Sequence, residues 1–270
     1  MTFNFTHAQT VIKDAAAQHI LPRFRNNTAQ NLEAKTHSYD VVTQADLEAE
    51  AHFKEHLPKL YPGCFVTGEE SIAKDPTQLD QLFEADLGFL VDPVDGTLNF
   101  SQGLSTFGTI VAVFRKGECV AGLIYDPIVD EWLIGEKGAG TYQQGRHGEQ
   151  KIQNIPVRTP VFINNTLHHL SIEQTSRLTT NLKNQGILRS FWCSAFDYRL
   201  MVLGSATGCL TMYCKPWDHA AGALMLEEVG GHTAFLDGAA YSPKRDVGPL
   251  LSVHDKAEFE DIKAKVQNAL

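Results

Sequence analysis

Residues 107–114 and 118–125 are two apolar runs joined by Lys116-Gly117, a pairing that reads as a β-hairpin. Trp132-Leu133-Ile134 and Gly140-Thr141-Tyr142 prolong the antiparallel run. An antiparallel sheet of this kind needs cover on at least one face, and the flanking sequence supplies helices. Upstream, Ala8, Val11, Ile12, Ala15 and His19 share one stripe at helical period. After a short extended piece, Asp40 to Thr43, Thr43-x-x-Asp46 fits a capping box that opens a second helix, expected to end at Pro58. Cys64 to Thr67 and Gly88 to Val91 read as buried strands, with a Pro- and Asp-bearing loop between them and the second ending at Asp92-Pro93. Beyond Pro156 and Pro160, the best linker candidate, strands at 161–164, 187–190 and 209–213 alternate with helices near 171–185 and 195–205. A last helix runs from Asp218 to Val229 and closes on Gly230-Gly231. One purely β stretch beside strand–helix alternation predicts a mixed, layered α and β fold.

The charges bound the partners. With 23 Lys and Arg against 32 Asp and Glu, the net charge is −9, which argues against a nucleic-acid face or a polybasic membrane surface. Five cysteines without a C-x-x-C point to a reduced interior and a cytoplasmic setting. The longest apolar stretches, such as Ile110 to Phe114, are far shorter than the ~20 residues of a membrane span. The N-terminus carries no leader pattern, so no targeting segment is expected. What remains is whether the acids are scattered for solubility or gathered for chemistry.

Three acidic motifs bear on that. In Asp92-Pro93-Val94-Asp95-Gly96-Thr97, proline removes a ladder donor and glycine permits a reversal, so both carboxylates and the Val94 carbonyl can converge. The Gly96 and Thr97 amides at a helix start would seat a phosphate. Gly68-Glu69-Glu70 ends a buried strand, and Asp218 leads a helix that is apolar nearly all round. Each motif alone also has an ordinary reading, as a surface turn, a solvated loop and an N-cap. Together they imply more. Carboxylates ~4 Å apart repel by about 4 kcal/mol at an effective dielectric near 20, so a cluster must protonate or bind cations. An all-oxygen donor set favours Mg²⁺ or Mn²⁺ over zinc. Two such ions beside a phosphate seat imply phosphoester hydrolysis.

LVDPVDGTLNF (90–100), GEES (68–71) and KPWDHAAGALMLEEVGG (215–231) resemble the three signature motifs of the inositol monophosphatase family. TQAD (43–46) and KGAGTYQQG (137–145) match in order and spacing, and the resemblance spans about residues 5–265. It implies an αβαβα sandwich, a single phosphatase domain of two lobes (about 1–155 and 156–270), Mg²⁺ dependence, lithium sensitivity and a homodimer. It further implies that Glu69, Asp92 and the Val94 carbonyl hold one Mg²⁺, that Asp92, Asp95 and Asp218 hold a second, and that Glu69 assists a weaker third. Glu70 and Thr97, with Asp46 behind Thr97, would orient and activate the attacking water. Asp95, the Gly96 and Thr97 amides, Ser194 and Lys35 would face the substrate. The implied reaction is hydrolysis of a small polyol or sugar phosphate, myo-inositol 1-phosphate foremost. Histidinol phosphate, fructose 1,6-bisphosphate and 3′-phosphoadenosine phosphates are the alternatives. A regulatory protein with a vestigial metal site is the alternative of another class, against which the intact set Glu69, Asp92, Asp95 and Asp218 argues.

Two positions depart from the inositol-type pattern. Trp192-Cys193-Ser194-Ala195 stands where those relatives carry Gly-Ser/Thr-Ala-Ala, and Thr211 stands where they carry a glutamate that grips ring hydroxyls. Trp192 also reads as core or interface packing. His52-Phe53-Lys54-Glu55-His56 fits the H-x-x-E-H zinc-peptidase pattern, but both histidines fall opposite the apolar face and are expected to face solvent. His168-His169 reads as a loop or strand-edge pair.

Overall fold

The computed structural model describes residues 3–26, 32–34, 41–153, 156–157 and 160–270. Helix α1 (Phe5–Ala15) buries Ala8, Val11, Ile12 and Ala15, and runs into a π turn, Ala16–Ile20, that carries His19. Strand β1 (Leu32–Ala34) pairs antiparallel with β2 (Val41–Thr43). Helix α2 (Gln44–Leu60) opens on the expected capping box: the Thr43 hydroxyl oxygen accepts from Ala45 N, and Asp46 Oδ2 accepts from Thr43 N at 2.8 Å. Pro58 lies inside its last turn instead of ending it, because so near the C-terminus its missing N–H costs a single ladder bond.

Strand β3 (Phe65–Gly68) leads into α3 (Glu69–Lys74) and α4 (Thr77–Glu84), two helices where a loop is expected. Asp75 and Pro76 start α4 instead of breaking the chain: Asp75 Oδ1 accepts from Thr77 N at 3.1 Å and from its hydroxyl at 2.6 Å. Strand β4 (Gly88–Asp95) and the short α5 (Thr97–Ser101) precede β5 (Gly108–Arg115), β6 (Glu118–Asp126), β7 (Glu131–Glu136), β8 (Gly140–Gly145) and β9 (Gly148–Lys151). These seven strands form one sheet in sequence order from β3 to β9, antiparallel except for β3 with β4. Lys116 and Gly117 both take positive φ, 50° and 80°, as the tight hairpin between β5 and β6 requires.

The second sheet draws on β10 (Val161–Asn165), α6 (Ile172–Leu182), β11 (Ile187–Arg189), α7 (Ser194–Val202), β12 (Gly208–Tyr213), α8 (Pro216–Glu228), β13 (His232–Phe235), β14 (Val247–Val253) and α9 (Phe259–Gln267). Its order is β11-β10-β12-β14-β13; β10 is parallel to both neighbours and β14 antiparallel to both of its own. Side-chain alternation assigns the layers. Phe89 and Val91 of β4 pack with Ala8, Ile12, Ala49 and Phe53 of α1 and α2, whereas Leu90 joins Tyr198, Ala221 and Met225 of α7 and α8. Cys209 and Ile163 close the same middle layer from the second sheet, whose far face packs Phe162, Leu210 and Leu251 against α6 and α9. The order helix, sheet, helix, sheet, helix is the expected αβαβα sandwich.

Small residues let the middle layer close. A Cβ on Gly122 of β6 would sit 2.8 Å from Ala221 Cβ, and one on Gly222 would sit 2.1 Å from the Tyr198 ring. The expectation of solvent-facing histidines is corrected for His52, which is buried: its Nδ1 lies 3.3 Å from His19 Nε2, and its ring stacks at 4.0 Å on the partly exposed His56. The π turn after α1 brings His19 across α2, a contact that no periodicity within α2 reveals. Among the described residues, no helix is long and apolar enough to cross a membrane.

Candidate active site

The site begins where β4 stops being a regular strand. Its ladder with β5 holds from Gly88 to Asp92 and shifts register before Asp95. Pro93 has no N–H to offer there, and its carbonyl accepts from the Thr109 hydroxyl at 2.8 Å. Strand alternation turns Asp92 toward the middle helical layer, as it does Leu90. Gly96, at φ 85°, then swings the chain into α5; a Cβ there would press on Thr106 O at 3.0 Å and on the Cys193 side chain at 3.1 Å.

Three aspartates meet. Asp92 and Asp95 from β4 and Asp218 from the first turn of α8 each offer an oxygen, all within 4.8 Å of one another. The capping reading of Asp218 is corrected: Lys215 is the N-cap and Pro216 opens the helix, so Asp218 points from inside the first turn. Burial drives the Asp92 and Asp218 carboxyls well above the usual carboxylate range, and neighbouring carboxylates, Glu69 among them, push them further. Asp95 rises to about 6, again chiefly through burial, although hydrogen bonds from Ala195, Cys193 and Ser194 hold it down. Those donors are the start of α7: Ser194 N lies 3.1 Å from Asp95 Oδ1, with Ala195 N at 2.5 Å and Cys193 Sγ at 3.0 Å from Oδ2. Ser194 thus enters the site through its amide.

Asp92 Oδ1 is buried and, among the described residues, has no hydrogen-bond partner. An orphaned buried carboxylate oxygen inside a group of three is costly alone and suits a hard cation. The donor set is all oxygen, which fits Mg²⁺. Glu69, half-buried in the first turn of α3, stands outside the group of three but close enough for its charge to act on each of them.

The Thr97 hydroxyl lies 2.9 Å from the Val94 carbonyl oxygen and 3.2 Å from Asp46 Oδ1. The hydroxyl carries one proton, so it donates to only one of these two oxygens at a time. Asp46 serves both ends, capping α2 with Oδ2 and meeting Thr97 with Oδ1. Glu70 is buried beside Glu69 in α3, and Lys35 lies outside the described residues.

Glu50 was not anticipated from the sequence. Its buried carboxylate accepts from Glu70 N at 2.9 Å, from Ser71 N at 3.1 Å and from the Ser71 hydroxyl, which caps α3 from another helix. A Cβ on Gly68 would strike it at 2.6 Å. The available signal was an acid four residues after Asp46, beside Ala49 and Phe53 on the buried side of α2.

The sequence profile of the Inositol monophosphatase family matches residues 4–268. An inositol-1-monophosphatase of Bacillus subtilis (strain 168) is 29% identical over 213 residues, 78% of this chain and 78% of that protein. A fructose-1,6-bisphosphatase/inositol-1-monophosphatase of Thermotoga maritima is 27% identical over 208 residues, 77% of this chain and 76% of that protein. Among solved structures, the extragenic suppressor protein suhB of Bartonella henselae has a TM-score of 0.80 at 24% identity, covering 97% of this chain and 99% of its own. A profile match from one end of the sandwich to the other, over a fold those structures share, means that the chain belongs to the inositol monophosphatase family and is a phosphatase.

Proposed function

We propose that this chain hydrolyses a small phosphate monoester in a Mg²⁺-dependent reaction, with water as the attacking group. The observation that carries this reading is the buried meeting of Asp92, Asp95 and Asp218, with an orphaned oxygen on Asp92. Asp92, Asp95 and Asp218 would hold one ion, and Asp92, Glu69 and the Val94 carbonyl a second, with Glu69 assisting a weaker third. When bound, Mg²⁺ supplies a lowered water pKa and neutralises charge on the phosphoryl and leaving oxygens.

The chain's own groups do the rest. Asp46 fixes the direction of the Thr97 hydroxyl, so that Thr97 can orient a water while Glu70 takes its proton. The Gly96 and Thr97 amides would receive the phosphate, and Lys35 would add positive charge near it. The relatives' names point to myo-inositol 1-phosphate as the reference ester, ahead of fructose 1,6-bisphosphate, histidinol phosphate and 3′-phosphoadenosine phosphate. Cysteine usage and acidic balance support a cytoplasmic setting, and the resemblance supports a homodimer.

The test is phosphate release from these four esters with and without Mg²⁺, for the wild type and Asp95→Asn. Mg²⁺-dependent turnover that Asp95→Asn abolishes is the expected result. Failure to hydrolyse any ester, or an Asp95→Asn variant at full rate, sinks the reading.

A further inference from the structure

We propose that Asn99 and Cys193 are positioning residues that hold the Asp95 carboxylate within reach of Asp92 and Asp218, acting through the segment Phe191 to Ala195. This rests on the cation site of the reading above and adds two side chains that set its geometry. Asp95 has a reason to turn away: one of its oxygens lies within 4.8 Å of an oxygen from each of the other two aspartates, and like charges so close repel. Until a cation neutralises the group, hydrogen-bond donors must hold the side chain in place. Three do so, all from one short segment between β11 and α7. Ser194 N lies 3.1 Å from Asp95 Oδ1, with Ala195 N at 2.5 Å and Cys193 Sγ at 3.0 Å from Oδ2. Cys193 is the N-cap of α7, but its side chain caps none of the helix's own amides. Asp95 fills that role from β4, and the thiol turns to Asp95.

The segment is itself pinned by Asn99, which is buried in α5. Its side-chain amide donates to Phe191 O at 2.7 Å and to Thr106 O at 2.9 Å. Both neighbours are carbonyls, which fixes the orientation of the amide and uses both of its protons. The next residue, Trp192, holds φ 52°, a left-handed backbone that a bulky residue adopts only when its surroundings impose it. Asn99 at one end and the Cys193 thiol at the other bracket that turn. The reversal after Asp95 is packed against the same parts. A Cβ on Gly96 would lie 3.0 Å from Thr106 O, the second acceptor of Asn99, and 3.2 Å from Cys193 Sγ.

Loss of either anchor frees Asp95 to respond to the charge of its neighbours. Groups that only orient a metal ligand are worth about 10–100-fold in metal affinity. Because both anchors act on one segment, their effects overlap instead of multiplying. Asn99→Leu keeps the bulk at position 99 without a donor or a new charge. Cys193→Ala removes the third donor to Asp95, and Cys193→Ser replaces it with a hydroxyl.

The experiment titrates the full chain with Mn²⁺, the other hard cation that suits this donor set, and reads the free ion by electron paramagnetic resonance. It compares the wild type, these three variants and the double variant Asn99→Leu/Cys193→Ala. The Mn²⁺ dissociation constant should rise about tenfold in Asn99→Leu and in Cys193→Ala, and Cys193→Ser should recover most of that loss. The double variant should also lose about tenfold, not the roughly hundredfold of independent sites. A merely structural role would lower the melting temperature and leave the affinity of the folded chain alone. Should Asn99→Leu fail to fold, Asn99→Ser, which keeps one donor, carries the same comparison. Unchanged affinity in the variant at position 99 or in Cys193→Ala overturns the proposal, as do fully additive losses or a serine no better than alanine. Phosphate release, assayed alongside, separates the two readings. Hydrolysis with affinities that do not move leaves the phosphatase reading standing without this proposal. Affinities that follow the pattern without hydrolysis do the reverse. A wild type that binds no Mn²⁺ removes the cation site and this proposal with it.

Discussion

Asp92 carries its charge problem in a single buried oxygen that no donor among the described residues meets, beside carboxylates that raise its pKa, Asp95 and Asp218 among them. Replacing it by asparagine removes a repelling charge and keeps the shape. Asp92→Asn should therefore raise the melting temperature in chelator while lowering the Mg²⁺-dependent rate by at least about a hundredfold, since even groups that only orient a metal ligand are worth 10–100-fold. Thermal melts in chelator and a phosphate-release assay check the two halves; a variant less stable without metal contradicts the account. Asp92, Asp95 and Asp218 were legible because proline and glycine breaks, or an apolar helix, make a carboxylate conspicuous. Glu50 was not, because its targets are backbone amides 20 and 21 residues further along the chain, which leave no local pattern. His52 was misassigned for a related reason: a helical wheel ranks faces against their own apolar stripe and is blind to the turn that crosses from α1.

One face of α2 holds both parts of the proposed water-activating pair. Asp46 meets Thr97, and one turn later Glu50 caps the helix that carries Glu70. Glu50→Ala leaves the Glu70 and Ser71 amides without their acceptor, which should cost about 1–3 kcal/mol of stability together with a fall in kcat. Glu50→Gln keeps an acceptor oxygen and should recover most of the stability. Denaturant titrations of both variants decide it: equal losses would mean that the charge, not the cap, matters. At this scale the strands from β5 to β8 are legible, since short apolar runs on either side of a Lys-Gly turn are strong local signals. The α3–α4 pair was mistaken for a loop because Asp and Pro open helices as readily as they end them. Strands β13 and β14 lay beyond what was read, and β14 slots between β12 and β13 by long-range pairing that periodicity does not encode.

The whole molecule should report on its cation through pH. Asp95 moves from 3.8 to about 6 on folding without metal, so between those values the folded chain holds a proton that the unfolded chain releases. Stability of the metal-free protein should then decline as pH climbs through that window. A cation that binds only the folded state restores what is lost. The gain in melting temperature from saturating Mg²⁺ should therefore be larger at pH 7 than at pH 5, and equal gains would refute the coupling. The layered architecture was legible because an all-round apolar helix such as α8 has to lie between sheets. That same arrangement divides the ligands: Asp92 and Asp95 precede the link between β9 and β10, and Asp218 follows it. A chain severed in that link would yield one fragment with two of the aspartates and another with the third. Full coordination would then exist only in the reassembled pair, and cation affinity would measure the reunion of the two pieces.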